Sequence, residues 1–246
     1  MDPHEEPPAR LRRAEAVLAR RTARIVLVLE QPWNDDNVHA VLRTAESFGV
    51  QHVWAVRHAH GRRRVRRAVT RGSHDWLTVR TFESTEELLA GLRAEGCTIW
   101  ASDLSPEAEP VDSPAMLSPV PQRLALVIGR EVGGVGETLL RAADRRLYLP
   151  MRGFTESFNL SVATALFLQR LFDAEPGLVG AMEGDERRQL RKLWYARLGG
   201  SDERKRERYL EHLEDPPPPL EDPRPRDEHR RPRIKKRLLR ERDEER

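Results

Sequence analysis

The sequence predicts an α/β fold: a parallel sheet covered by helices on both faces. Two observations carry this. Strand-like apolar runs alternate with helical segments in a β-α-β rhythm over most of the chain, which is the order that builds parallel sheets. The helical segments also carry their own start and stop residues, which separates them from the strands.

In order, residues 9–21 read as a short basic helix with Leu11, Val17 and Leu18 as a thin apolar stripe. "ARIVLVLE" follows as a buried strand. In "VHAVLRTAESFGV", Val38, Val41, Leu42, Ala45 and Phe48 recur at helical spacing, and Gly49 is placed to end the helix. "HVWAV" and "WLTVR" are strand-like. "STEELLAGLRAEG" is a helix opened by a capping box of Ser84 and Glu87 and closed by Gly96. "CTIWAS" and "LALVIG" are strands, "VGETLLRAADR" is a helix, "RLYLP" is a strand, and the helix of "NLSVATALFL" closes the series. No internal repeat is evident. After about Glu175 the character changes to the polar helices "DERRQLRKLWYARL" and "SDERKRERYLEHLE". A proline-rich segment, "DPPPPLEDPRPRDEHRRPR", follows and reads as extended. The expected division is therefore a basic N-terminal helix (1–23), an α/β domain (24–175) and a helical, partly disordered basic extension (176–246).

At 246 residues the chain can bury one sizeable core, and with 34% charged residues that core must be concentrated in part of it. Net charge is only +3, but it is uneven: residues 51–74 hold seven arginines and no acid. The dense part of that run, Arg62, Arg63, Arg64, Arg66 and Arg67, suits a phosphate backbone. Cys97 is the only cysteine, so an intrachain disulfide and a cysteine-based metal site are excluded. The histidines lack ligand spacing, and no metal is expected. No stretch of about 18 apolar residues appears, so no membrane span is expected, and a cytoplasmic protein is.

Three loops follow strand ends, where open α/β sheets place their ligands: "QPWNDDN", "GREVGGVG" and "PMRGFTESFN". The glycines of the second superficially resemble the glycine-rich turn of Rossmann-like methyltransferases. They fail the G-x-G-x-x-G spacing, and too few β-α units follow. In the first helix of the series, Asp36, His39 and Arg43 share a stripe opposite Val38, Leu42 and Ala45. Arg43 therefore points away from the core, and pattern alone reads it equally as a surface arginine.

Taken together, "NDDNVHAVLRTAESFGV", "ALVIGREVGGVG" and "LPMRGFTESFNLSVATALFL" resemble the three ordered motifs of the SPOUT methyltransferases in their TrmH (SpoU) branch, over residues 9–172. "GSHDW", residues 72–76, is similar to the tRNA-modifying members of that branch. The resemblance implies a SPOUT fold whose C-terminal segment threads a loop into a deep trefoil knot, a rare exception among folds. It implies S-adenosylmethionine as cofactor, held around Leu104, Gly129, Leu149, Met151, Gly153 and Phe158, with Gly153 permitting a tight bend. Arg43, Asn37, Glu131, Ser157 and Asn159 match the family's catalytic positions. The reaction implied is methylation of a ribose 2'-hydroxyl in tRNA, at the D-loop guanosine of position 18, by a homodimer. Small residues Ser161, Ala163, Thr164 and Ala165 would let the last core helix pack closely on a twin subunit. A ribosomal RNA substrate and a non-catalytic RNA-binding knot are the alternatives. Two departures stand out: Phe158 occupies the centre of a usual Ser-Leu-Asn, and the residues around "EVGGVG" differ from the tRNA-enzyme pattern.

Overall fold

The computed structural model describes residues 7–32, 34–57, 73–130, 133–182 and 184–222. The arginine run 62–67, Glu131 and the basic terminus 230–242 lie outside the described residues. Strands β1 (Thr22–Glu30), β2 (Val50–Val56), β3 (Thr78–Phe82), β4 (Thr98–Ser102), β5 (Glu109–Pro110), β6 (Leu124–Ile128) and β7 (Arg145–Tyr148) form one sheet, ordered β3-β2-β1-β6-β4-β7-β5. Every neighbouring pair is parallel. The helices are α1 (Ala9–Leu18), α2 (Asp35–Phe48), α3 (Thr85–Ala94), α4 (Glu137–Ala142), α5 (Leu160–Ala174), α6 (Gly184–Gly199) and α7 (Glu203–Leu210).

Two central strands show why the sheet is two-faced. From β1, Ile25, Leu27 and Leu29 join one buried cluster with α2 and α5, while Val26 and Val28 join another with α3 and α4. β6 does the same, with Leu124, Leu126 and Ile128 on the first face and Ala125 and Val127 on the second. Successive side chains leave a strand on opposite sides, so a strand covered on both faces must be apolar throughout.

Local signals end several helices where expected. Gly49 sits at φ 81 after α2, and a Cβ there would stand 2.7 Å from the Arg20 carbonyl oxygen, so only glycine fits. Ser84 caps α3 by accepting from the Glu87 amide, and Glu87 accepts in return from the amide of Glu83. Other details differ from the sequence reading. α1 stops at Leu18, and Arg21 instead turns fully inward, donating to the Glu46 carboxylate at 3.0 Å and to the Val50 carbonyl, with its guanidinium over the Trp194 ring. Burial lowers the pKa of Arg21, and Glu46 opposes the shift. Trp76 belongs to a 3-10 turn (Ser73–Trp76) rather than to β3. The two-residue β5 has no counterpart in the sequence reading.

α1, α6 and α7 share a third core of Leu11, Leu18, Leu190, Trp194, Tyr195 and Tyr209. Inside it the Glu15 carboxylate accepts two hydrogen bonds from Arg191, both at 2.8 Å, and one from the Tyr195 hydroxyl at 2.9 Å. A buried carboxylate that receives a bidentate guanidinium and a phenol is fully satisfied. α6 also reaches the sheet, with Glu186 lying 2.6 Å from His52 Nε2 of β2. The close approach of His52 lowers the pKa of the Glu186 carboxyl.

Candidate functional site

Because all strands run one way, their C-terminal ends and the loops after them gather at one edge of the sheet. There the exits of β4, β6 and β7 and the start of α5 enclose a cavity of about 610 Å3. That volume lies within the range of about 300–1,000 Å3 typical of small-molecule sites. Its walls come from Ser102, Asp103 and Leu104; from Gly129, Arg130 and Gly133 to Val135; and from Leu149, Met151 and Glu156 to Leu160, with Ala163 and Phe167 of α5 beneath.

The glycine loop after β6 doubles back on itself. Arg130 bridges to Gly134 through a backbone hydrogen bond of 3.0 Å, and Gly133 and Gly134 take φ of 86 and 62 to make the turn. A Cβ on Gly129 would lie 2.3 Å from both the Gly134 carbonyl carbon and the Val135 nitrogen, so no side chain fits there. The Gly129 amide donates to Ser102 Oγ at 3.4 Å, tying this floor to β4. At the exit of β4 the Asp103 carboxylate accepts from the amides of Leu104 and Ser105 and from the Ser105 hydroxyl at 2.6 Å, which fixes the turn that presents Leu104.

At the cavity mouth, Asn159 caps α5. Its Oδ1 accepts from the Ser161 amide at 2.9 Å and the Ser161 hydroxyl at 2.7 Å. That leaves its NH2 as donor, and it donates to Asn37 Oδ1 in the first turn of α2 at 3.2 Å. α2 itself is capped by Asn34, whose side chain accepts from the Asp36 amide.

Of the expected cofactor residues, Leu104, Gly129, Leu149, Met151 and Phe158 line the cavity, as do Ser157 and Asn159. Gly153 does not line it; its φ is outside the left-handed region and a Cβ there meets nothing within 4 Å. The loop bends in open solvent, where nothing crowds the backbone. Asn37 touches the site through Asn159, while Arg43 is exposed, lines no part of the cavity, and makes no hydrogen bond or ion pair among the described residues. His39 departs from the stripe assigned to it: it is buried, although Asp36 and Arg43 on that stripe are exposed. α2 packs on both α5 and the 3-10 turn, so more than one of its flanks is covered. Thr164 is fully buried, donating to the Leu160 carbonyl, and Ala163 packs on its own chain's core, while Val162 is the exposed apolar residue of that turn. Sequence reasoning passed over Ser102, Asp103 and Glu30. The signal for Glu30 was a lone acid closing an apolar strand.

Comparison with known proteins places this architecture. Residues 24–169 match the SpoU rRNA Methylase family. The tRNA (guanosine(18)-2'-O)-methyltransferase of Escherichia coli is 33% identical over 161 residues, covering 65% of this chain and 68% of that protein. The enzyme of the same name from Thermus thermophilus is 33% identical over 164 residues, covering 67% of this chain and 82% of its own. Among solved structures, the Aquifex aeolicus TrmH/SpoU tRNA modifying enzyme superposes with a TM-score of 0.66 at 25% identity, covering 75% of this chain and 94% of that one.

Proposed function

The chain belongs to the SpoU RNA methylase family, and from that premise we propose that it transfers a methyl group from S-adenosylmethionine to the ribose 2'-hydroxyl of guanosine 18 in tRNA. The observation that carries the reading is the strand-end cavity whose mouth is joined to α2 by the Asn159–Asn37 hydrogen bond. The names of the relatives carry the choice of nucleotide.

The cavity suits the cofactor. Gly129 leaves room for a ligand against bare backbone, and the apolar side chains of Leu104, Leu149, Met151 and Phe158 offer surfaces for a purine ring. When bound, the cofactor supplies an electrophilic sulfonium methyl. The protein's task is then to orient the ribose, exclude water and stabilise the charge that develops on the 2'-oxygen. Ser157, Asn159 and Asn37 are placed at the mouth to orient the ribose. Arg43 is assigned to the substrate phosphate and the developing alkoxide, where a guanidinium acts by charge.

Arg43 lines no part of its own chain's cavity, and this favours a homodimer in which one subunit supplies the cavity and the other the arginine. Exposed Leu104 and Phe158, which line the cavity, and exposed Phe154 and Val162 supply apolar surface for such an interface. A trefoil knot formed by the segment after β7, action in the cytoplasm, a role for Glu131 in positioning Arg43, and phosphate binding by the 62–67 arginines complete the proposal.

The test is methyl transfer to unmodified tRNA with a labelled donor, followed by mapping of 2'-O-methyl sites. A single product at guanosine 18, lost when that residue is 2'-deoxyguanosine, is the expected result. Methylation of ribosomal RNA alone, or none with cofactor bound, would replace this reading by one of its alternatives.

A further inference from the structure

Glu30 is a buried acid with 5% exposure at the last position of β1, and none of the ion pairs among the described residues involves it. Its two donors are neutral. The Gly136 amide donates to Oε2, and the Thr85 hydroxyl at the start of α3 donates to Oε1 at 3.2 Å. A buried carboxylate is costly unless its lone pairs are occupied, so the position demands a structural return. The fit at Gly136 is close: a Cβ there would stand 2.9 Å from Oε1. Among the described residues Glu30 is the acceptor of the Gly136 amide at the N-cap of α4.

The next residue repeats the arrangement. Gln31 takes φ 46, the only positive φ of a non-glycine among the described residues. In that conformation its Oε1 accepts from the Arg130 guanidinium at 3.3 Å. Arg130 and Gly136 are the two feet of the glycine loop that walls the cavity, and both are held by the two residues leaving β1. The same β1 exit runs on to Asn34, which caps α2, and to Asn37, which meets Asn159.

We propose that Glu30, with Gln31, is a positioning residue: it holds Arg130 and residues 134–136 against Gly129, and thereby sets the cofactor wall and the α2 side of the site in one register. Glu30 does not line the cavity and touches no substrate. Glycines by themselves sample many conformations, so a loop rich in them depends on the groups that hold its ends. This rests on the methyltransferase reading only for the identity of the ligand.

Hydrogen exchange on the unliganded protein tests it first. In Glu30→Ala the amides of residues 134–136 should exchange about tenfold faster or more, as expected for the loss of a hydrogen bond to a charged group, with β6 amides unchanged. Calorimetry should then show S-adenosylmethionine affinity lowered about tenfold or more, while tRNA affinity stays within about twofold. Glu30→Gln keeps an acceptor for Gly136 and should recover most of both losses. Gln31→Ala, which removes nothing buried, should weaken cofactor binding severalfold even if Glu30→Ala does not fold. Wild-type exchange and wild-type cofactor affinity in Glu30→Ala would overturn the proposal. So would parallel loss of cofactor binding, tRNA binding and β6 protection that Gln fails to rescue. A wild-type protein that binds no S-adenosylmethionine would instead overturn the methyltransferase reading, leaving the exchange result to judge the clamp.

Discussion

Asn159 and Asn37, 122 residues apart in the chain, are joined by a 3.2 Å side-chain hydrogen bond at the mouth of the cavity. The two faces of the Asn159 amide do different work: the oxygen caps α5 and the nitrogen reaches α2. They can be separated. Asn159→Asp keeps an acceptor for the Ser161 amide but no donor for Asn37, so stability should hold while methyl transfer falls. Asn159→Ala should lose both, with about 1 kcal/mol of stability lost with the cap. Melting curves and single-turnover rates check this, and an active Asn159→Asp would show that the cap alone matters.

Gly129 and Gly153 should respond oppositely. Gly129→Ala forces a Cβ into backbone only 2.3 Å away and should abolish cofactor binding. Gly153→Ala meets open space and should bind S-adenosylmethionine within about twofold of wild type, since a compatible Gly→Ala change shifts stability by only about 0.4–1 kcal/mol. Calorimetry on the two variants decides; equal loss in both would give Gly153 a role that its surroundings do not suggest.

Arg43→Ala should bind cofactor normally and lose about two to three orders of magnitude in rate. If each site takes its cavity from one subunit and its arginine from the other, mixing Arg43→Ala with Gly129→Ala protein restores one intact site in each heterodimer. Random reassortment of a two-fold dimer then returns about a quarter of wild-type activity. No recovery in a mixture shown to exchange subunits would place both residues in one chain's site.

The terminal core makes a prediction at high pH. Burial and the adjacent Glu15 carboxylate raise the Tyr195 phenol above its ordinary value of 10.0. A raised pKa favours the protonated form in the folded state, so its stabilising effect is complete below about pH 10 and is lost as pH climbs toward the folded value. Tyrosinate absorbance of wild type and Tyr195→Phe should therefore coincide until unfolding begins. An additional step in the folded wild type near pH 10 would contradict this.

Neutralising Arg62, Arg63 and Arg64 should weaken all tRNAs alike and flatten the log–log salt dependence by about 0.7–0.9 for each phosphate no longer neutralised. Cofactor affinity should not change. An unaltered slope would leave the run as solvated surface.

The sequence by itself determined whatever depends on near neighbours along the chain. The unbroken apolar run from Ile25 to Leu29 announced a strand buried on both faces, and Ser84 and Gly49 marked helix ends because capping is settled within a few residues. The ordered motifs also contain Gly129, Leu149, Met151, Ser157, Phe158 and Asn159, all of which line the cavity. Only the tertiary structure decided what each side chain would face. Periodicity set His39 beside Arg43 on one stripe, yet the packed fold buries His39 and leaves Arg43 exposed. Gly129 and Gly153 read alike as glycines, but only the first has another backbone pressed against it. Glu30, to which no sequence pattern assigned a role, accepts from the Gly136 amide 106 residues away. Burial and hydrogen bonding depend on which segments the topology brings together, and local pattern carries that information only weakly.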